Sequence, residues 1–320
     1  MFNRPYLFAL IAIILPGIVS ESSAQSRESS RYRKLAPGVI KRILPSQEIN
    51  ETFSGPRDMV EIVKGDPNLD WTPNFSPKSD TLLAKAKSTV FRRPIWGLEF
   101  GFKPIRLIEV NGKKIWYLLY YVKNNGKHLN PTPEKDDHNH DVFTAKPVDH
   151  SVRFFPTFVL ESHEYGQAYM DSVLPSVVDA IRKQNDPNRK IYDSVEISSV
   201  PIEVSTPEED KSVWGAATWT NVDPRTDFFS VYIQGLTNAF HWQDPEGAYE
   251  QGDPPGKGRR FSFKTLQINF WRPGDALNLD EMEFRYGLPT KAQLPPDKTE
   301  DEVIRIYRLQ ERVDHQWIYR

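Results

Sequence analysis

The chain has 320 residues, of which 38% are hydrophobic and 12% aromatic, and its formal net charge is −2 at pH 7. This length and apolar content predict a folded protein with a full core and exclude a chain that is disordered throughout. The near-neutral charge gives no electrostatic basis for binding nucleic acid. Because the chain contains no cysteine, disulfides, thiol nucleophiles, thiolate-bound zinc and a lipid-modified cysteine anchor are excluded.

The first residues have the pattern of a secretory signal peptide. Arg4 supplies a positive charge, residues 7–19 form an apolar run, and Ser22 and Ala24 are small residues spaced as at a cleavage site. The apolar run is shorter than the ~20 residues that an ordinary membrane span requires. We therefore expect residues 1–24 to be removed, leaving a periplasmic or extracellular protein with no membrane span. An uncleaved N-terminal anchor is the alternative.

A polar segment punctuated by proline and glycine follows, from residue 25 to residue 88. Its beginning has the composition of a disordered chain, whereas Phe53, Trp71 and Phe75 make its later part too apolar for a free linker. We expect a partly disordered N-terminal arm that lies along the main domain. A short helix is expected at residues 57–64 and a helical turn at residues 81–87.

The strongest signal for a single structural element lies at residues 100–124. Two apolar, β-branched and aromatic runs flank Asn111 and Gly112, the residue pair that most readily takes the positive φ angles of a type I′ turn. The second run, residues 115–122, is apolar on both faces. It therefore predicts a strand that is covered on two sides.

The remainder of the chain predicts further strands and one helix. Residues 126–152 lack periodicity and predict a long loop, and Pro175 is placed to begin a helix with apolar residues at helical spacing. Pro104 predicts a bend in the strand that precedes the hairpin. The predicted strands lie at residues 91–110, 115–124, 153–162, 191–199, 212–220, 228–236, 261–271, 282–286, 303–309 and 317–319.

These elements predict a mainly β fold, an immunoglobulin-like antiparallel β-sandwich with one interposed helix and an extended N-terminal arm. The sandwich domain is expected to span residues 89–290, and residues 291–320 to form a C-terminal extension that packs on it. Helices do not alternate with strands along the chain, which disfavours a parallel α/β fold.

Four of the seven histidines lie between residues 128 and 150. Among them, His138 and His140 alternate with acidic and amide residues in a short segment that ends at Asp141, so these three side chains could converge on one divalent cation. A flexible loop offers such ligands no visible hydrogen-bond partners to hold them. A solvated insertion is therefore the alternative, and no cofactor is expected.

Other chemical motifs are incomplete. Residues 252–258 resemble a phosphate loop, but the spacing is one residue short and Gly258 replaces the required Ser or Thr. His163 and Glu164 lack the second histidine of a zinc protease, and no Gly-x-Ser-x-Gly elbow occurs. A non-enzymatic role is favoured for this reason.

Trp242 lies with His241 in a predicted loop, and Tyr249 follows shortly after. A tryptophan on a loop can stack on a sugar ring or fill a pocket of a protein partner. Packing at the end of the sandwich is the alternative for Trp242. These three residues are the candidate ligand-binding residues.

Whole segments of the chain resemble an uncharacterised family of exported bacterial proteins. The resemblance extends over residues 37–286 and implies an exported β-sandwich, without implying any active-site residue. The segments that carry it include TFSGPR (residues 52–57), LDWTPNFSPKS (69–79), FRRPIWGLEFGFKPIR (91–106), WGAATW (214–219), GLTNAF (235–240) and NFWRPGD (269–275).

Taken together, the sequence predicts an exported, non-enzymatic envelope or extracellular protein that presents loops to an unknown protein or polysaccharide partner. A carbohydrate-binding or carbohydrate-active accessory module is the first alternative, motivated by Trp242 and Tyr249. A metal-dependent hydrolase that uses His138 and His140 is the second.

The signal pattern yields a direct test. Exported material is expected to begin near Gln25, because the small residues before it suit signal peptidase. Intact mass or N-terminal sequencing of the exported protein would establish this. Protein that retains residues 1–24 would instead identify an uncleaved anchor.

Overall fold

The computed structural model describes residues 38–54, 91–248, 257–273, 283–294 and 298–320. The predicted helical segments at residues 57–64 and 81–87 and the signal segment lie outside these residues. The helices are α1 (Pro175–Asn185), α2 (Ser194–Ser199) and α3 (Glu300–Ile306), with 3-10 turns at Ile49–Thr52 and Lys291–Gln293. The strands, in chain order, are β1 (Lys41–Ile43), β2 (Phe53–Ser54), β3 (Phe91–Arg92), β4 (Ile95–Phe102), β5 (Arg106–Val110), β6 (Lys113–Leu129), β7 (Glu134–Lys135), β8 (Asp141–Val142), β9 (Ala145–Pro147), β10 (Val152–Arg153), β11 (Thr157–Ser162), β12 (Gln167–Met170), β13 (Ile191–Tyr192), β14 (Pro201–Ile202), β15 (Val213–Trp219), β16 (Phe228–Gln234), β17 (Phe240–Gln243), β18 (Arg260–Trp271), β19 (Arg285–Tyr286) and β20 (His315–Tyr319).

Two seven-stranded sheets contain most of these strands. Sheet 1 has the order β1-β4-β6-β15-β13, with β5 and β9 also paired to β6. Sheet 2 has the order β12-β11-β16-β18-β17, with β19 and β20 also paired to β18. The central pairs of both sheets, β4–β6, β6–β15, β11–β16 and β16–β18, are antiparallel, whereas β13 runs parallel to β15. The predicted mainly β, antiparallel class is confirmed.

One face of each sheet contributes to a shared hydrophobic core. Because side chains alternate along a strand, every second residue of β4 and β6 points to the same side. Phe100 and Tyr120 of sheet 1 meet Phe158 of sheet 2, with ring centroids 6.4 Å and 4.9 Å apart. Phe102 of sheet 1 meets Phe270 of sheet 2 at 6.1 Å. Burial of these aromatic rings is the main source of cohesion between the sheets.

The predicted hairpin turn is confirmed. Asn111 has a φ of 53° and Gly112 a φ of 72° between β5 and β6, as a type I′ turn requires. The second face of β6 is also covered, as its two-sided apolar pattern predicts. There Tyr117 and Leu119 pack against α1, which begins at the predicted Pro175.

Two segments predicted as strands form helices. Residues 191–199 contain only the short strand β13, after which α2 begins. The Asp193 carboxylate accepts hydrogen bonds from the backbone N–H groups of Val195 (2.8 Å) and Glu196 (2.7 Å). Residues 303–309 lie mainly in α3, where Thr299 and Glu302 form the same reciprocal capping arrangement. Local capping therefore outweighed the β-branched composition of both segments.

The predicted loop at residues 126–152 is also partly wrong. Strand β6 continues through Leu129, β9 pairs with its end, and β7 pairs with β8. Gly126 takes a φ of 63°, a conformation that lets the strand bend and continue.

Trp242 likewise lies in strand β17, opposite Phe261 of β18, and not in a loop.

The first and last described segments are joined to sheet 2 by a buried charge. The Lys264 ammonium, on β18, forms an ion pair with the Glu51 carboxylate, and both side chains are almost fully buried. Lys264 also donates to the backbone carbonyl of Ser46 (2.5 Å), and the Tyr319 hydroxyl donates to Glu51 Oε1 (2.8 Å). This network fixes residues 46–51 and β20 to the same strand.

The turn between β5 and β6 supplies a stability test. Gly112→Val places a β-branched side chain at positive φ and is expected to lower the free energy of unfolding by about 1–3 kcal/mol. Gly38→Val is the matched control, because a Cβ at either glycine meets nothing within 4 Å and the φ of Gly38 is not positive. Urea unfolding measures both variants. Equal midpoints for the two would contradict the turn assignment.

Candidate ligand-binding groove

Beyond α1, the outer face of sheet 1 carries an aromatic and polar floor. Tyr121 of β6 lies opposite Trp214 of β15, and their ring centroids are 5.3 Å apart. The Tyr121 hydroxyl donates to Glu99 Oε1 (2.7 Å), and the Asn125 side chain donates to Glu99 Oε2 (3.2 Å). Burial, and then the Glu99 hydrogen bond, raise the pKa of the Tyr121 hydroxyl. The hydroxyl therefore stays protonated and holds the carboxylate in place.

A glycine makes room for this floor. Gly101 of β4 is the cross-strand partner of Tyr121, and a Cβ built at Gly101 would lie 2.1 Å from the Tyr121 ring. The ring therefore lies flat across the neighbouring strand. No side chain larger than hydrogen fits beneath it in this arrangement.

Two adjoining cavities open above the floor. One, of about 580 Å³, is lined by Tyr121, Trp214, Arg42 and the segment 189–192. The other, of about 510 Å³, is lined by Asn125, Lys127 and residues 44–47. Lys123 lines both, and the Glu99–Asn125 hydrogen bond joins a residue of the first to a residue of the second. We call the two cavities together the outer groove; each has the volume of an ordinary small-molecule site.

Cations surround the aromatic end of the outer groove. The Arg189 guanidinium lies 4.5 Å from the Trp214 ring centroid, and the Lys190 ammonium lies 4.4 Å from the Tyr192 ring centroid. Lys123 on the floor forms an ion pair with Asp210 (3.4 Å). Tyr121 is only 6% exposed, and Trp214 is half-buried against the cluster beneath α1. The site thus combines part of one aromatic ring with charged groups at its rim.

The candidate ligand-binding residues from the sequence lie elsewhere. The Trp242 ring is covered on one face by Arg259, whose guanidinium is 3.8 Å from the ring centroid. The His241 ring stacks on Tyr319 at 3.7 Å. Tyr249 lies outside the described residues. Trp242 and His241 share β17 but line neither cavity of the outer groove.

The candidate metal ligands are exposed and bonded within their own segment. Asp136 Oδ1 accepts from the backbone N–H groups of His138 (2.9 Å) and His140 (2.7 Å), and Asp141 pairs with Lys135 (2.8 Å). The two imidazole centroids are 6.3 Å apart. Within the described ranges, no group of three or more His, Asp or Glu side chains is arranged to hold a metal ion. The geometry adds no support to the metal prediction.

A buried serine–histidine pair lies on sheet 2. His163 Nε2 is 2.7 Å from Ser230 Oγ, and Ser230 also donates to Asn269 (2.7 Å). Ser230 is fully buried, and His163 Nδ1 has no hydrogen-bond partner in the part of the chain that the structure describes. A nucleophile needs access to substrate and a base held in one orientation by a third group. This pair lacks both features and belongs to a polar packing network.

Comparison with known proteins identifies no relative. No family model matches the chain, and no curated protein or solved structure shows a significant similarity to it. The resemblance to an exported bacterial family therefore stays a prediction. Across the described ranges, no helix is both long enough and apolar enough to cross a membrane.

The sequence carries one partial signal for the outer groove. The apolar run of β6 ends at Val122, and residues 123–128 are polar or glycine at every position. This change of composition marks where β6 leaves the two-sided core, but it does not separate the groove residues Lys123, Asn125 and Lys127 from the buried Asn124 and His128. That Trp214 lies opposite Tyr121 across the sheet can be predicted only when the register of β6 and β15 is known.

His163 gives a pH test of the buried network. Burial lowers the pKa of His163 to about 4, from about 6.5 in an unfolded chain. Protonation therefore favours the unfolded state, and the stability linked to this group is full above pH ~6.5 and is lost as the pH falls towards ~4.

The parent protein is expected to lose unfolding free energy when the pH is lowered from ~7 to ~4.5. We expect this loss to be about 2 kcal/mol smaller in His163→Gln, because the variant has no imidazole to protonate at this position. Urea unfolding at both pH values measures the difference. His138→Gln, at an exposed histidine, is the control and should keep the parental pH dependence. Identical pH dependence for His163→Gln and the parent would show that His163 titrates normally.

Proposed function

We propose that the chain is an exported, non-enzymatic protein that binds carbohydrate in the outer groove. The observation that carries the proposal is the half-buried Trp214 ring, which packs on the buried Tyr121 beside the Glu99 carboxylate, in the lining of a cavity of about 580 Å³. Aromatic rings offer flat apolar faces to a sugar, and fixed polar groups beside them orient its hydroxyls.

The polar groups of the floor are held before any ligand arrives. Glu99 accepts one hydrogen bond through each oxygen, from Tyr121 and from Asn125. Groups whose positions are already fixed lose less conformational entropy on binding. A carboxylate engaged on both oxygens also suits an acceptor better than a proton donor, which favours binding over glycoside cleavage.

Export and an immunoglobulin-like sandwich are parts of this proposal. The signal pattern of residues 1–24 supports export. The chain crosses between the two antiparallel sheets after β9, after β12 and after β15, and such crossings support the sandwich assignment. The resemblance to exported bacterial proteins is consistent with both.

A protein partner bound by the β17–β18 hairpin is the second candidate function. Phe261 and Phe263 are each 48% exposed, and their ring centroids are 6.2 Å apart. Phe240 on β17 extends this aromatic surface, 5.7 Å from Phe261. Exposed aromatic groups of this kind are common at protein interfaces.

A glycan array tests whether polysaccharide binds in the outer groove or at β17. Trp214 and Trp242 are a matched pair for this test, because an arginine guanidinium lies over each ring. Trp214→Ala is expected to weaken polysaccharide binding about tenfold or more, since it removes the stacking face. Trp242→Ala should leave binding within about twofold of the parent, since Trp242 lies outside the groove.

If Trp242→Ala lost binding while Trp214→Ala retained it, the binding site would lie at β17 and not in the outer groove. If the parent protein bound no polysaccharide on an array of both neutral and acidic glycans, the carbohydrate proposal would be wrong. Circular dichroism and thermal unfolding of both variants would show that each is folded.

A further inference from the structure

We infer that the ligand of the outer groove is an acidic oligosaccharide, with anionic groups that reach both ends of the groove. This inference rests on the proposed carbohydrate-binding function and adds the chemical class of the ligand. It follows from the distribution of charge along the groove. The basic residues that line it are Arg42, Lys123, Lys127, Arg189 and Lys190.

The carboxylates of the groove are already occupied. Glu99 accepts from Tyr121 and Asn125, and Asp210 pairs with Lys123. Glu51, which borders the second cavity, pairs with the buried Lys264 outside the groove. None of these carboxylates forms an ion pair with Arg42, Lys127 or Lys190 among the described residues.

Three cations therefore lack an anionic partner in the described structure. Arg189 is paired with Asp186 (3.2 Å), and Lys123 is paired with Asp210. Arg42 and Lys127 are exposed, and no ion pair is formed by either within the described ranges. Lys190 lies over the Tyr192 ring and forms no ion pair with a described residue. Groups that bind a ligand anion must be available when the ligand arrives, and these three satisfy that condition.

The positions of the cations set the length of the ligand. Arg42 and Lys190 line the first cavity, and Lys127 lines the second. Lys127 follows Tyr121 by six residues on β6, so at ~3.3 Å per residue the two are separated by at most ~20 Å. A ligand that contacts Arg42 or Lys190 together with Lys127 must extend from the first cavity into the second, as an oligosaccharide with charged groups on more than one unit does. One of its uncharged ring faces would lie against the half-buried Trp214.

The test compares acidic polysaccharides with neutral forms of the same backbone. The probes are oligosaccharides of polygalacturonate, alginate and hyaluronate, each with its methyl ester, and chondroitin sulfate with its desulfated, esterified form. Affinities for the mature protein are measured by isothermal titration calorimetry at low and at high salt. At least one acidic probe is expected to bind tenfold or more tightly than its neutral form, and to weaken as salt screens the charges.

A double variant tests whether the free cations are responsible. Arg42→Gln with Lys127→Gln is expected to reduce the ratio of acidic-form to neutral-form affinity to threefold or less, because both substitutions remove a positive charge that faces the ligand. The control carries the same change of charge at two exposed residues outside the groove, Arg153→Gln with Lys183→Gln. It should retain the full preference.

The outcomes separate this inference from the proposed function. Equal binding of acidic and neutral forms, or equal loss of preference in the control variant, would overturn the acidic-ligand inference and leave carbohydrate binding in place. If no acidic or neutral probe bound and the glycan array also showed no binding, both the acidic-ligand inference and the carbohydrate-binding proposal would be overturned. Whether carboxylate or sulfate is preferred is decided by which acidic probe binds.

Discussion

The ammonium group of Lys264 lies on sheet 2 with no access to water, and its neutralisation by Glu51 constrains much of the structure around it. A buried charge without a partner costs several kcal/mol, so the segment that supplies Glu51 must stay in place. The same segment contributes the Ser46 carbonyl to Lys264, and the preceding Leu44 carbonyl accepts a hydrogen bond from the Trp317 indole. Residues 44–47 form one side of the second cavity of the outer groove. The wall of the groove is thus anchored on sheet 2, whereas its floor belongs to sheet 1. Any change that separated the sheets would change the shape of the groove.

Strand β6 connects the core to the groove along a single stretch of backbone. Its inward residues, such as Tyr120, pack between the sheets, and its outward residues pass from α1 to the open floor. Leu119 is covered by the helix, and Tyr121, the next outward residue, is the first to face the groove. The position of the groove is therefore set by where α1 ends, at Asn185. Arg189 and Lys190, in the turn that leaves this helix, supply cations at its rim. Neighbouring residues of one strand thus face either the core or the outer groove.

Local signals predicted the parts of the fold that depend on neighbouring residues. The Asn111-Gly112 turn, the start of α1 at Pro175 and the two-sided burial of β6 all follow from short-range chemistry. The reciprocal caps of α2 and α3 are equally local, but the β-branched composition of the same segments predicts strands. The site was not accessible in the same way. Tyr121 and Trp214 meet only through the register of β6 and β15. Glu51 and Lys264 meet although 213 positions separate them, and no local pattern encodes such a contact.

Glycines beneath aromatic rings recur on two neighbouring strand pairs of sheet 1. Gly101 faces Tyr121 across β4 and β6, and Gly215 faces Tyr120 across β6 and β15. A Cβ at Gly215 would lie 2.5 Å from the Tyr120 ring, much as one at Gly101 would strike Tyr121. Neither member of such a pair can change alone without a clash or a void, so the two positions of each pair should vary together during evolution. One pair lies on the core side of β6 and the other on the groove side. Divergent sequences that keep the core pair but exchange the outer one would retain the packing between the sheets while the shape of the outer groove changes.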